Sequence, residues 1–385
     1  MITQRRLKVL IASHACATPQ NQALFADAAR ERNWDVTLCL PRWWKDEYGQ
    51  WLPARLMEGF DARLTHFPVT RNGSVPLHVY LGRLGRLIRD VNPDVIYSHN
   101  EAYAASTIQW CWANARTLAR PFGFYSCQNI LKRYPTPFRQ GEAWVYKHSR
   151  FFFPITHNVD QVHRDKGYTG RSTIVPLGYD ARKFYPKQAI ETRHLQAEGR
   201  PVQLVYAGRV VEEKGLITLA AALGQLTDLD WDLLIAGGGD YELQVKAAMA
   251  DHGVSDHVQW LGFVGRDEMP ALFESADLMV LPSETRSNWK EQFGRVILES
   301  IACGTPVVGS DSGEIPYLIR EINGGAVFHE SQPDSLAESL RTLMTNHSKR
   351  AQVAIEAASY VSERYTLDDI TDQFADAIEE AALNR

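Results

Sequence analysis

Two positively charged residues follow a short apolar run and a glycine in the second half of the chain. The run reads LVYAGRVVEEKG over residues 204–215, so that Gly208 precedes Arg209 and Lys214. Glycine lets the backbone approach a ligand, a guanidinium offers a planar fork of donors, and an ammonium group offers a point charge. Together these residues suit the binding of a diphosphate. Two solvated loop cations without a ligand are the alternative interpretation.

A pair of glutamates forms the second candidate. Glu291 and Glu299 stand eight residues apart, with Gly294 between them where a loop is expected to turn into a helix. Each carboxylate can accept hydrogen bonds from two neighbouring hydroxyls, as a sugar or a ribose presents them, and the free N–H groups at the helix start suit an anion. The alternative, a solvated helix face, is disfavoured because apolar residues crowd both ends and a buried glutamate needs a partner.

A run of three glycines, Gly237 to Gly239, follows another apolar run and precedes a predicted helix. It lacks the Gly-Lys-[Ser/Thr] ending of a P-loop and the spaced glycines and distant acid of a dinucleotide fingerprint. Instead of contacting a ligand, the three glycines could simply allow a strand and a helix to pack closely. The histidines show no metal-ligand spacing, so we expect no metal and no other cofactor. No basic or aromatic signature indicates nucleic acid.

The elements that must position these residues follow from apolar runs that alternate with helical patterns, which is typical of a parallel sheet wrapped by helices. Because 385 residues exceed the usual size of one core, we predict an α/β protein with two doubly wound, Rossmann-like domains. They span residues 1–185 and 201–366, with a linker at 186–200 where the pattern fails. Ligands of such sheets bind beyond the carboxyl ends of the strands, so the cleft between the domains is the expected site.

The individual elements can be assigned from the same patterns. Strands are predicted at 8–12, 35–40, 63–69, 94–97, 122–126, 151–155, 172–175, 203–207, 232–236, 258–261, 278–281, 306–309 and 326–328. Helices are predicted at 21–32, 77–91, 102–118, 159–166, 216–226, 241–251, 269–275, 296–302, 315–322, 335–345 and 351–363. A last amphipathic helix, within 367–385, carries Ile370, Phe374 and Ile378 on one stripe.

Charge is distributed unevenly along the chain. Residues 1–180 hold 23 Lys and Arg against 14 Asp and Glu, a net of +9, and the remainder has a net of −14. The basic half is expected to face a phosphorylated substrate or a membrane surface, or else the two halves attract each other. The predicted basic helix 77–91 suits peripheral contact with anionic lipid. A helix packed on the sheet with its arginines in solvent is the alternative.

The cysteine pattern and the short apolar runs favour a location in the cytoplasm. The five cysteines are an odd number without paired spacing, as expected of a reduced cytoplasmic protein. No apolar window approaches the roughly 18 residues of a membrane span. The apolar run at 9–12 is too short for a signal peptide and is predicted to be the first strand.

The segment EQFGRVILESIACGTPVV, residues 291–308, together with the cations at 209 and 214, resembles the retaining family 4 glycosyltransferases of GT-B fold. The resemblance covers residues 202–330 closely and implies two Rossmann-like domains facing each other across a cleft, with the last helix packing back on the first. It implies metal-independent transfer of a sugar, with retention, from a UDP- or GDP-sugar to a hydroxyl. The acceptor would be a glycan, a glycolipid or a lipid-linked acceptor in cell-surface polysaccharide biosynthesis.

The resemblance also implies roles for single residues of the donor site. Arg209 and Lys214 would bind the diphosphate, Glu299 the ribose hydroxyls and Glu291 the hydroxyls of the donor sugar. Phe293 and Gly294 would present backbone N–H groups, and the segment 262–264 would lie along the nucleobase. The implied donor-binding set is Gly208, Arg209, Lys214, Phe263, Val264, Glu291, Gln292, Phe293, Gly294, Arg295 and Glu299.

In the first half the resemblance is looser and rests on SHNE at 98–101 and CQNILKRYP at 127–135. Many family members have a glycine pair where this chain has Ser13 and His14, and a histidine where it has Gln128. The catalytic group touching the reacting sugar is therefore open among Gln128, His14 and His99. Further candidate acceptor contacts are Asn129, Lys132 and Arg133. A GT-B-fold nucleotide-sugar epimerase and a non-catalytic nucleotide-sugar-binding protein are the competing functions.

Overall fold

The computed structural model describes residues 5–46, 49–195 and 199–383. The chain divides into two compact units, Met1–Pro176 with Asp368–Arg385, and Leu177–Leu367. Most of the stretch 186–200, predicted to be a linker, lies in the described part of the second unit and includes the helix Ile190–Leu195. Residues 196–198 of that stretch lie outside the described residues.

The first unit is built on a parallel sheet. Its strands are β1 Lys8–Ala12, β2 Asp35–Pro41, β3 Trp43–Lys45, β4 Trp51–Pro53, β5 Arg63–Phe67, β6 Val69–Thr70, β7 Val79–Tyr80, β8 Val95–Ser98, β9 Phe122–Ser126, β10 Phe151–Pro154 and β11 Arg171–Ser172. Its first helices are α1 Ala23–Glu31, α2 Leu84–Val91, α3 Ala105–Ala115, α4 Phe138–His148 and α5 His157–Asp165. Over the described residues, seven strands join in the order β11-β10-β9-β8-β1-β2-β5, while β3-β4 and β6-β7 form antiparallel pairs.

The second unit repeats the parallel α/β pattern. Its helices are α6 Ile190–Leu195, α7 Leu216–Leu223, α8 Glu242–Asp251, α9 Met269–Ser275, α10 Arg295–Ala302, α11 Ile315–Ile322, α12 Pro333–Met344 and α13 His347–Ser362. Its strands are β12 Val202–Ala207, β13 Trp231–Ala236, β14 Val258–Gly262, β15 Leu278–Leu281, β16 Val307–Ser310 and β17 Gly325–Phe328. Within the described ranges these six strands form one sheet in the order β14-β13-β12-β15-β16-β17. The two predicted parallel-sheet, Rossmann-like units are thus confirmed.

Central strands of both sheets are buried on both faces, which explains their nearly continuous apolar sequences. In β1, Val9 and Ile11 belong to one core cluster and Leu10 to the cluster on the opposite face of the sheet. In β12, Leu204 and Tyr206 enter the main core of the second unit. The carboxyl ends of the strands are therefore held by rigid, fully packed segments.

The C-terminal helix, α14 Leu367–Leu383, packs on the first unit. Phe374 and Ile378 are fully buried in the same core cluster as Phe25 of α1, and the rings of Phe25 and Phe374 lie 5.4 Å apart. Arg32 forms ion pairs with Asp372 and Asp376 at the edge of this contact. The apolar stripe read from the sequence is the buried face of the helix.

One predicted helix is wrong over its first half. Residues 79–80 form β7 instead, and helical structure begins only at Leu84. In α2 the apolar residues Leu84, Leu87 and Ile88 are buried, whereas the side chains of Arg86 and its partner Asp90 are largely exposed. This is the arrangement of a helix packed on a sheet with its arginines in solvent. It does not form the long basic amphipathic helix expected for lipid contact.

Other elements were not predicted. Helix α4 contains Gly141, which lowers helix propensity; a Cβ at this position would lie 2.3 Å from the end of the Ile108 side chain, which would have to move. The hairpin of β3 and β4 and the short helix α6 were also missed. No helix in the described ranges is long and apolar enough to span a lipid bilayer.

Candidate functional site

The loop after β12 carries the first predicted motif and is supported by the three glycines. Gly208 N donates a hydrogen bond to Ala236 O (2.9 Å), and Val210 N donates one to Gly238 O (2.9 Å). A Cβ on Gly237, whose φ is +136°, would lie 1.8 Å from Gly208 O. The glycine run is therefore a backbone support for the loop, which agrees with the packing interpretation of that motif.

The two cations of this loop have different environments. The side chain of Arg209 is 66% exposed and lies 3.7 Å from a Glu213 carboxylate oxygen. Lys214 is only 13% exposed, and its Nζ lies 2.5 Å from Glu291 Oε2. The next residue, Gly215, has a φ of +67°. A side chain is excluded at this position, because a Cβ there would lie 1.9 Å from the carbonyl oxygen of Pro282. The first and second motifs are thus in direct contact.

Helix α10 positions the second motif. Gly294 adopts the left-handed conformation, with a φ of +77°, immediately before the first helical residue Arg295. Phe293 is buried. Glu299 lies on the second turn of the helix, as predicted, and burial raises the pKa of its carboxyl although Arg295 and Arg266 oppose the shift. No described residue donates a hydrogen bond to this carboxylate, so it remains an acceptor for a ligand.

A pocket of about 360 Å³ in the second unit brings the two motifs together. Seven of the residues predicted from the sequence to bind the donor line this pocket: Gly208, Arg209, Lys214, Glu291, Gln292, Gly294 and Arg295. The other predicted donor-binding residues, Phe263, Val264, Phe293 and Glu299, are not among the described residues that line it. Phe263 is 90% exposed and follows Gly262, whose carbonyl oxygen accepts a hydrogen bond from Gly237 N (2.7 Å).

Trp289 also lines the pocket and was missed by the sequence reasoning. The Nζ of Lys214 lies 5.0 Å from the centroid of its ring, within the range of a cation–π interaction. The segment before Glu291 is fixed by hydrogen bonds between Arg286 and Trp289 and by a 2.8 Å contact of Arg286 with Glu284. The sequence did offer a signal for this role, since a single tryptophan stands among polar residues close to Glu291.

Candidate residues of the first unit lie in buried aromatic surroundings. Burial, with the charges of His78 and His99, lowers the pKa of His14 to about 3, and burial lowers that of His99 to about 4. The ring of His14 lies 4.8 Å from that of Trp44, and Tyr97 Oη lies 3.2 Å from His99 Nδ1. Both histidines are neutral at pH 7 and can act only as neutral hydrogen-bonding groups there.

Gln128 is buried and its amide is already engaged. Its Nε2 donates to Tyr134 Oη (2.9 Å), and its Oε1 accepts from Lys166 Nζ (3.2 Å). Lys166 also pairs with the buried Glu142. These contacts fix the orientation of the side chain. The neighbouring Asn129 is buried, whereas Lys132 and Arg133 are exposed.

Glu101 holds the start of the loop that contains Gln128. This structural role of Glu101 was not predicted from the sequence. Its carboxylate accepts hydrogen bonds from Ser126 Oγ (2.6 Å) and from Cys127 N (2.8 Å). Burial raises the pKa of this carboxyl, although these hydrogen bonds oppose the shift. His163 continues the network, with its Nε2 2.7 Å from Ser126 Oγ. The segments 98–101 and 127–135 were singled out in the sequence, but the hydrogen bonds between them could not be predicted because the two segments are far apart in the chain.

Two family models match the chain in succession. Residues 23–183 match the model of glycosyltransferase family 4, and residues 187–360 match that of glycosyl transferases group 1. The chain belongs to the family 4 glycosyltransferases. The second match contains the pocket and both of its motifs, and the first contains the loop around Gln128.

Relatives of this glycosyltransferase include two curated bacterial enzymes. A GDP-mannose-dependent alpha-(1-6)-phosphatidylinositol monomannoside mannosyltransferase of Mycobacterium tuberculosis (strain CDC 1551 / Oshkosh) is 30% identical over 208 residues, 52% of this chain and 54% of the relative. A D-inositol 3-phosphate glycosyltransferase of Salinispora tropica is 30% identical over 246 residues, 57% of this chain and 49% of the relative. The chain thus spans about half the length of these curated relatives.

The fold of this glycosyltransferase is shared with solved structures. The Anabaena HepE protein in complex with UDP is similar with a TM-score of 0.74 at 18% identity, over 97% of this chain and 100% of that one. Sucrose-phosphate synthase from Thermosynechococcus elongatus matches with the same TM-score at 16% identity, over 99% and 100% of the two chains. These likenesses identify the fold as GT-B.

Proposed function

We propose that this glycosyltransferase moves a sugar from a nucleoside diphosphate to a hydroxyl group, with retention of the anomeric configuration and without a metal ion. The observation that carries the proposal is the pocket in which Arg209 and Lys214 meet Glu291 at the start of α10. Cations, a carboxylate and free helix N–H groups in one pocket match the parts of a nucleotide sugar. The catalytic, donor-binding and acceptor roles of single residues are part of this proposal.

The diphosphate is proposed to bind between the two cations and the start of α10. Arg209 is exposed enough to swing onto a phosphate, and Lys214 already lies in the pocket. The first N–H groups of a helix lack intrahelical partners and lie at the positive end of the helix dipole. Gly294 and Arg295 therefore add donors that favour an anion.

The ribose is proposed to bind Glu299. Its carboxylate is buried, and its pKa is raised because water has been removed from it. A buried acceptor without a hydrogen bond is costly, and two ribose hydroxyls would supply the missing donors. The donor sugar is then proposed to lie near Glu291, and the base along 262–264.

The proposed reaction breaks the bond between the anomeric carbon and the diphosphate oxygen and forms a bond to the acceptor oxygen. The acceptor attacks from the face that the diphosphate leaves, and a phosphate oxygen takes the hydroxyl proton. Negative charge builds on the departing diphosphate, where Arg209 and Lys214 would stabilise it. Fixed cations aimed at developing charge are usually the largest catalytic contribution.

The donor is proposed to be a UDP- or GDP-sugar and the acceptor a glycolipid, a glycan or a lipid-linked acceptor of cell-surface polysaccharide synthesis. The names of the curated relatives, one GDP-mannose-dependent and acting on a phosphatidylinositol mannoside, support this choice. Among the first-unit residues, one of Gln128, His14 and His99 is proposed to touch the reacting sugar. Asn129, Lys132 and Arg133 are proposed to contact the acceptor.

Peripheral contact with the cytoplasmic face of a membrane is a further part of the proposal. The net charge of +9 over residues 1–180 supports it, as do the exposed side chains of Trp43, Trp51 and Leu81 in the same unit. Vesicle flotation at low salt tests this contact. Equal flotation with anionic and neutral vesicles would count against it.

Replacement of Arg209 tests the proposed leaving-group role. Arg209→Ala is expected to lower turnover of the donor by about two to three orders of magnitude, since it removes one fixed charge from the departing diphosphate. Release of nucleoside diphosphate measures this rate. Arg320→Ala, which removes an exposed arginine from α11, is the matched control and should keep wild-type turnover. Near-normal turnover of Arg209→Ala would show that the leaving-group role is wrong.

A further inference from the structure

Two side chains with different proposed partners bind each other in the pocket. Lys214 Nζ and Glu291 Oε2 lie 2.5 Å apart, and each side chain is only 13% exposed. Because water screens such a pair weakly, its attraction exceeds that of an ion pair on the surface. Lys214 is proposed to serve the diphosphate and Glu291 the sugar, so a ligand must disturb this contact.

Neighbouring groups hold the ion pair in place. Lys214 Nζ rests over the ring of Trp289, and Ser283 Oγ donates a hydrogen bond to Glu291 Oε2 (3.2 Å). The backbone on the Glu291 side is also fixed, because Glu314 N donates to Glu291 O (3.2 Å). The Lys214–Glu291 contact is thus held in place by several surrounding groups of the pocket.

A nucleotide sugar and a bare nucleoside diphosphate affect this pair differently. Either ligand draws Lys214 toward the phosphates and leaves the Glu291 carboxylate with less compensation. Sugar hydroxyls donate new hydrogen bonds to the carboxylate, whereas a bare diphosphate offers it only additional negative charge. Loss of one partner of a poorly hydrated ion pair is costly when nothing replaces it.

We propose that the Lys214–Glu291 ion pair makes the pocket discriminate between a nucleotide sugar and the nucleoside diphosphate that remains after transfer. Glu291 competes with the diphosphate for Lys214 unless sugar hydroxyls occupy the carboxylate. The pair therefore weakens binding of the product relative to the donor and favours product release. This inference rests on the proposed function, since it assigns the discrimination to the donor pocket itself.

Glu291→Gln separates the competition from other effects because it keeps the shape of the side chain and removes its charge. We expect this variant to bind UDP or GDP about tenfold more tightly than the wild type, within the range of coupling between contacting residues. Binding of UDP-glucose or GDP-mannose is not expected to tighten, because the variant also loses charged acceptors for the sugar. Isothermal titration calorimetry measures all four ligands, and circular dichroism checks the fold.

Glu242→Gln is the matched control, because it removes a carboxylate that pairs with Lys246 away from the pocket. It should leave all four affinities unchanged. Equal or weaker binding of UDP and GDP by Glu291→Gln would overturn the inference, as would equal tightening of nucleoside diphosphate and nucleotide sugar. If the wild type binds none of the four ligands, the proposed function itself fails.

Discussion

At the scale of single residues, the candidate donor site of the second unit combines charges that are compensated to different degrees. Arg209 is exposed, Lys214 and Glu291 neutralise each other, and Glu299 is a buried carboxylate that no described residue supplies with a hydrogen bond. Among the first-unit candidates, Gln128 is held by Tyr134 and Lys166, whereas His14 Nδ1 is buried without a hydrogen-bond partner among the described residues. The buried Glu299 carboxylate, with its raised pKa, supports ligand binding in the second unit.

The carboxylate of Glu299 gives a prediction at this scale. Glu299→Gln is expected to weaken binding of UDP or GDP about tenfold, because hydrogen bonds to a charged acceptor are stronger than those to an amide. Calorimetry with the ribose and 2′-deoxyribose forms of the same nucleotide measures the effect. The deoxy form keeps only the 3′-hydroxyl, so its affinity should differ less between the wild type and the variant than that of the ribose form does.

Glu338→Gln, an exposed change on α12, serves as the control for Glu299→Gln and should behave as the wild type. Equal affinity of the wild type and Glu299→Gln for the ribose nucleotides would contradict the proposed ribose contact.

At the scale of elements, the positions of the pocket motifs were largely predictable. Strand β15 and helices α9 and α11 have the predicted bounds, because their apolar periodicity is strong and their ends carry clear signals. The predicted helix 77–91 failed because its apolar spacing also fits a strand followed by a shorter helix, and β6–β7 pairing decides between them. The contribution of Trp289 to the pocket depends on hydrogen bonds within a loop. These cannot be predicted from the spacing of apolar residues.

The three-glycine loop gives a prediction at the scale of elements. Gly237→Ala is expected to lower the free energy of unfolding of the second unit by more than about 2 kcal/mol, because its methyl group would collide with the backbone oxygen of Gly208. It should also reduce nucleotide affinity by displacing the Arg209 loop. Thermal unfolding and calorimetry measure the two effects.

Gly238→Ala is the matched control, because the nearest atom to its Cβ is a Glu242 side-chain oxygen at 3.8 Å. Its effects on unfolding and on nucleotide affinity should be small. Similar behaviour of the two variants would show that the glycine run does not support the phosphate loop.

At the scale of the whole molecule, several histidines are buried in a neutral state. Burial is the largest cause that lowers the pKa of His14 and His163 to about 3, and of His99 and His194 to about 4. In the unfolded chain a histidine has a pKa near its ordinary value of 6.5. Between these values the unfolded chain binds protons that the folded protein does not bind. Stability therefore falls as the pH is lowered.

This linkage predicts a steep loss of stability below about pH 6.5, with each buried histidine contributing about 1.4 kcal/mol for each pH unit. The raised pKa values of Glu101 and Glu299 act in the opposite direction, because their protonation favours the folded state. Urea unfolding at about pH 7 and about pH 5.5 measures the net slope. His99→Phe should reduce the slope by the contribution of one histidine, and an unchanged slope would contradict the neutral buried state of His99.

Proton NMR tests whether the protein transfers a sugar from a nucleotide sugar with retention and without a metal. Purified protein is incubated with a panel of UDP- and GDP-sugars in excess EDTA, with and without a glycolipid acceptor, while nucleoside diphosphate and the anomeric protons are followed. We predict release from one donor and a product with the anomeric configuration of that donor. Inversion, a requirement for added metal, or conversion of one nucleotide sugar into another would contradict it.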